Sequence, residues 1–81
     1  MAYFRLKLAN NTRKKLERLL LTARNKGDLA IVKKILTISA VVQGHVYYLI
    51  SEILNVSEES IRLWVRDFLL KGPEGLIALK N

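Results

Sequence analysis

The sequence predicts a small all-α domain built from four helices. Apolar residues recur at helical spacing along most of the chain. The breaks between these stretches fall at Gly27-Asp28, Gly44, Asn55 and Gly72-Pro73, residues suited to ending a helix or starting the next one. Residues 1–9 alternate only loosely, and 81 residues suffice for a single domain with a modest core.

Taken in order, residues 1–9 set Tyr3, Arg5 and Lys7 against Phe4, Leu6 and Leu8, and read as a short extended arm pinning the apolar three onto the core. Asn10 and Asn11 are expected to cap a first helix from about Thr12 to Lys26, in which Leu16, Leu19, Leu20 and Ala23 form one apolar stripe. Its first turn carries Arg13, Lys14 and Lys15, opposite in sign to what the helix dipole favours; a nearby anion relieves this, as does plain solvent. Gly27 closes that helix and Asp28 caps the next. The second helix, from about Asp28 to Gln43, is apolar nearly all round, with a narrow polar stripe at Lys33, Lys34 and Thr37. Such a helix is central in the core or buried in a partner.

After Gly44, a third helix from about Val46 to Leu54 turns Ile50, Ile53 and Leu54 inward. Asn55 suits the left-handed position of a tight turn. Ser57 caps a fourth helix that buries Ile61, Trp64, Val65 and Phe68 and stops after Lys71 at Gly72-Pro73. Leu76, Ile77 and Leu79 form a short apolar tail. The single domain thus divides into arm and helices over 1–43, a helix pair over 44–72 and a tail over 73–81. One alternative stays open at Gly44. An interior glycine costs a helix only ~1 kcal/mol, so the second and third helices could run on as one and exchange arms between chains.

Charge is unevenly placed. Residues 1–34 hold ten basic and two acidic residues, a balance of +8, and residues 35–81 hold four basic and five acidic, a balance of −1. A basic surface attracts nucleic acid or anionic membrane, or is simply a solvated face. There is no cysteine and only one histidine, which leaves no thiolate or multi-histidine metal site and no cofactor. No nucleophile–base constellation points to an enzyme or a small-molecule substrate. The N-terminus lacks a signal-peptide core, and the run Ile35 to Ser51 is shorter than the ~20 apolar residues a membrane span needs. The expectation is a soluble cytoplasmic protein that does not engage membranes.

Two short helices, a tight turn and a longer amphipathic helix make a helix-turn-helix plan of the homeodomain-like kind. Ile50, Leu54, Val56, Ile61 and Trp64 are placed to pack its two helices together, and Ser51 is small where they approach. The sequence also resembles the N-terminal DNA-binding region of mariner-like bacterial and archaeal insertion-sequence transposases, over most of its length. Leu8-Ala9-Asn10-Asn11-Thr12-Arg13 with Leu16-Glu17 is similar to that family's opening helix, and Ile50 to Ser57 to its first helix and turn. Ile61 to Phe68 followed by Gly72-Pro73-Glu74-Gly75-Leu76 is similar to its recognition helix and glycine-leucine close. Asn55 stands where the family has its turn glycine, Ser51 where it has alanine, and Val46 where it has a capping Ser or Thr; near Asn11 to Arg13, where the family is usually acidic, this chain is basic. The resemblance implies a DNA-binding domain without the family's catalytic carboxylates, whether from a truncated transposase or a regulator of transcription.

In that plan Ser57, Glu59, Arg62, Leu63 and Arg66 face a DNA groove, Tyr47 and Tyr48 reach phosphates or pack against the core, and Arg13, Lys14, Lys15 and Arg18 supply a phosphate grip. Glu58 and Glu59 either read bases or complement the helix dipole. Arg62 either reads DNA or pairs with Glu58. His45 is read as a turn residue and Trp64 as core. Partners expected are double-stranded DNA and, because so apolar a second helix is hard to cover with 81 residues, a second copy of the chain.

Overall fold

A computed structural model describes residues 9–77. Phe4, Leu6, Leu8 and Leu79, assigned above to the arm and tail, lie outside the described residues. Among the described residues there are four helices, α1 (Asn10–Lys26), α2 (Leu29–Val42), α3 (Tyr47–Leu54) and α4 (Glu58–Lys71), followed by a 3-10 turn at Gly72–Leu76. The all-α class and the helix count follow the sequence. No helix among the described residues is long and apolar enough to cross a membrane.

The second helix is the centre. α2 packs against α1, α3, α4 and the 3-10 turn, whereas α1 touches only α2 and that turn. Ile35, Ile38 and Val41 of α2 meet Leu16, Ile50, Ile61, Val65, Phe68 and Leu76 in one core. Branched aliphatic side chains dominate it. Each, fully buried, contributes about 1.5–3 kcal/mol of transfer free energy.

The joints are built as their residues dictate. Gly27 sits at φ 73, and the amides of Gly27 and Asp28 donate to the Arg24 and Ala23 carbonyls at 3.1 and 2.8 Å. The Asp28 carboxylate then accepts from the Ile31 amide at 3.3 Å and opens α2. Gly44, at φ 94, ends the helical path, so α2 and α3 are separate helices here rather than one continuous helix. The 3-10 turn depends on Gly75. A Cβ there would collide with the Asp67 carbonyl oxygen, so only glycine lets the turn fold back on α4 and bury Leu76.

Three expectations are corrected. Asn10 and Asn11 do not cap α1; they lie within its first turn, because the extended residue before the helix is Ala9, whose methyl offers no acceptor. Thr37 is not on a polar stripe but fully buried, its hydroxyl donating to the Lys33 carbonyl at 2.9 Å. That bond inside the helix removes the cost of hiding a hydroxyl. Ile53 is not inward but 71% exposed, since the short α3 meets the core along Ile50 and Leu54 and leaves Ile53 on its flank. Leu29, the first residue of α2, is 76% exposed.

Candidate nucleic-acid interface

The geometry of the α3–α4 pair starts at Asn55. It takes φ 56 and ψ 51, the left-handed conformation that asparagine tolerates better than most residues. The Val56 amide donates back to the Ser51 carbonyl at 3.2 Å, closing the turn. Ser57 then caps α4: its Oγ accepts from the Ser60 amide at 3.0 Å and donates to Ser60 Oγ at 2.9 Å. Ser51 Oγ donates to the Tyr48 carbonyl at 2.7 Å, which keeps that small residue satisfied between the helices. Leu54, Val56 and Trp64 pack on the buried Ile50 and Ile61, so the angle between α3 and α4 is set by apolar contact on both sides of the turn.

This arrangement gives α4 two opposed lines. Ile61, Val65 and Phe68 are buried. Glu59, Leu63 and Arg66, at the same spacing, are exposed on the far side, with the exposed Arg62 beside them. Arg66 lies 3.3 Å from the Asp67 carboxylate in an exposed pair that contributes little energy. Arg62 makes no ion pair with Glu58 or with any other described acid. Glu58 and Glu59 occupy the first turn, where negative charge is favoured by about 0.3–1 kcal/mol. The Ser57 hydroxyl serves the cap, and the residue is exposed.

The tyrosines part company. Tyr48 is 65% exposed, while the half-buried Tyr47 packs against the core. Trp64 is half-buried against the core on the inner side of α4, with Lys34 Nζ 5.9 Å from its ring centroid. The Lys34 ammonium also donates to the Leu76 carbonyl at 3.5 Å, joining α2, α4 and the 3-10 turn. His45 is exposed beside Gly44.

On α1, Arg13, Lys14, Lys15, Arg18, Arg24 and Lys26 are all exposed, with no acidic residue in the first turn. The Lys15 ammonium pairs with the Glu74 carboxylate at 3.1 Å, linking α1 to the 3-10 turn. The backbone around Glu74 and the Lys15 ammonium together hold that carboxyl below its ordinary value of 4.5. The structure does not bring α1 into contact with α3 or α4. The molecule spans 37 × 27 × 23 Å, comparable to the ~34 Å of one duplex turn. Among the described residues no group of acids and histidine is arranged to hold a metal ion.

One feature was not read from the sequence. Between α2 and α3 lies an open apolar groove of about 300 Å³, with Leu36, Ser39, Ala40 and Gln43 on one side and Leu49 and Ile53 on the other. Its signal was present in the i, i+4 pair Leu49 and Ile53, which flanks the buried Ile50–Leu54 line. Comparison with known protein families, curated proteins and solved structures finds no match to this chain.

Proposed function

We propose that this chain binds double-stranded DNA through a helix-turn-helix formed by α3 and α4, and that it does so as a homodimer. The observation that supports this most is the outward face of α4. Its buried line packs on the core and Ser57 caps its first turn, and Glu59, Arg62, Leu63 and Arg66 stand free of the core on the other side. Arginine is the most versatile reader of such a surface, through guanine edges or through phosphates. The cations of α1 serve as a phosphate-attracting surface of low specificity, and Tyr48 adds a hydroxyl near the start of α3. The sequence resemblance to mariner-like transposases supports reading the chain as a DNA-binding domain of transposition or of transcription regulation, acting on the nucleoid in the cytoplasm.

A second reading is a self-associating interaction module whose DNA surface is vestigial; the open groove between α2 and α3 favours it. The two separate on selection from a random duplex pool with a scrambled duplex as control. Enrichment of a defined sequence, with affinity falling steeply as salt rises, supports the DNA reading. Absence of both enrichment and salt dependence overturns it and leaves the interaction module.

A further inference from the structure

The surface of α2 that its own chain leaves uncovered carries a regular seam. Leu29, Val32, Leu36, Ser39 and Gln43 follow alternating steps of three and four residues, the spacing at which one helix lies along another. The five seam positions hold no charged residue, and the exposed Lys33, one turn from Leu29 and Leu36, lies along the edge of the seam. It is also uneven in shape. At the N-terminal end of α2 it projects, since Leu29 is 76% exposed with Val32 one turn on. Towards the C-terminal end the side chains shrink to Ser39 and Ala40, and there the groove opens against Leu49 and Ile53 of α3.

Along the same helix the projection lies before Leu36 and the groove runs from Leu36 onward. We propose that this seam is the homodimer interface, with α2 packed antiparallel against α2 of a second copy across a two-fold axis near Leu36. In that arrangement Val32 comes opposite Ala40 of the second copy and Leu29 opposite its Gln43. Each copy's projecting end fills the other's groove, and both contacts form at once because a two-fold interface is self-complementary. The exposed Ile53 and the half-buried Leu36 are covered in the same step, which accounts for apolar side chains that no described part of the chain shields. The inference rests on the self-association proposed above and not on DNA binding.

The test uses the full chain without DNA. The wild-type protein is expected to sediment as a dimer at micromolar concentration. Leu29→Glu and Ile53→Glu each place a charge in the seam and are expected to weaken association by about tenfold or more. Both positions are over 70% exposed in the single chain, so helical circular dichroism is expected to stay unchanged. The protein contains no cysteine, so Leu36→Cys makes a single-thiol variant that should oxidise to a covalent dimer, whereas Leu70→Cys on the outer face of α4 should not. A monomeric wild-type protein overturns self-association altogether. A dimer that survives both charge substitutions, or one trapped by Leu70→Cys and not by Leu36→Cys, overturns this seam while leaving dimerisation in place.

Discussion

The helices α1 and α4 share an amphipathic stripe of the same period and basic residues in the last turn, yet their N-terminal ends are finished in opposite ways. α4 has a serine cap, two acids in its first turn and a lysine in its last, so charge complements its dipole at both ends. It buries Ile61, Val65 and Phe68 within 14 residues. α1 buries only Leu16 and Ala23 within 17, has no side-chain cap, and puts Arg13, Lys14 and Lys15 where its dipole favours acids. On the proposed DNA-binding reading, the contrast separates two tasks. Reading a base edge needs a helix held in a fixed position, because hydrogen bonds fail over fractions of an ångström. Attracting phosphate needs only positive charge within a Debye length, about 8–10 Å at ordinary salt. Basic residues in the first turn of α1 work against that helix's own stability, and an anionic partner reverses the sign of their effect.

The largest way to disturb this contrast is through the core under α4. Ile61→Ala removes a fully buried side chain and should cost about 2–5 kcal/mol, a large fraction of the stability of a small domain. Leu21→Ala on α1, where the side chain is 59% exposed, should change stability by about 0.5 kcal/mol or less. Urea unfolding followed by circular dichroism measures both; similar losses at the two sites would mean that α1 is as deeply anchored as α4.

Next comes the division of labour on DNA. Neutralising Lys14, Lys15 and Arg18 together should flatten the log–log salt dependence of binding by up to about 0.9 for each phosphate no longer neutralised. Arg62→Ala and Arg66→Ala should flatten it less, but weaken binding to a selected site by about 1–3 kcal/mol while leaving a scrambled duplex nearly unaffected. Fluorescence anisotropy titrations from low to high salt give both quantities. The reverse ordering would place the phosphate grip on α4, and unchanged affinity in both arginine variants would sink the docking of α4 in a groove.

A smaller effect sharpens the comparison of the helix starts. Ser57→Ala should cost about 1 kcal/mol because the Ser60 amide is left without its acceptor, whereas Ala9→Ser should stabilise α1 by supplying a missing acceptor, by up to about 1 kcal/mol. Opposite shifts in urea midpoint are the expected result.

The smallest effect is at Glu74. Its carboxyl titrates below its ordinary value when folded, so its contribution is present above that value and is lost as pH falls through the lower, folded one. Glu74→Gln should therefore be slightly less stable than wild type at neutral pH, with the gap closing in acid. A gap that widened below pH 4.5 would contradict the pairing with Lys15.

Much of the fold was legible from residues one after another. Gly27 and Asn55 in left-handed conformations, Asp28 and Ser57 as caps, and the Gly72-Pro73 stop are local matters, decided by which residues tolerate positive φ or offer a short acceptor. The buried lines of α1 and α4 were legible too, because each helix has one apolar side and the period alone says which it is. The placement of charge on α1 and of arginines on α4 belongs with these, since long charged side chains stay in water almost wherever a helix lies.

Only the tertiary structure decided the rest, for a single physical reason. Where a helix is apolar on several sides, its period does not say which side finds a neighbour. α2 and α3 are such helices, and on them Thr37 went in while Leu29 and Ile53 stayed out. The same holds for Gly75, whose necessity appears only when the Asp67 carbonyl oxygen arrives from α4, and for the groove between α2 and α3, which exists because two separate segments leave a space that neither defines alone.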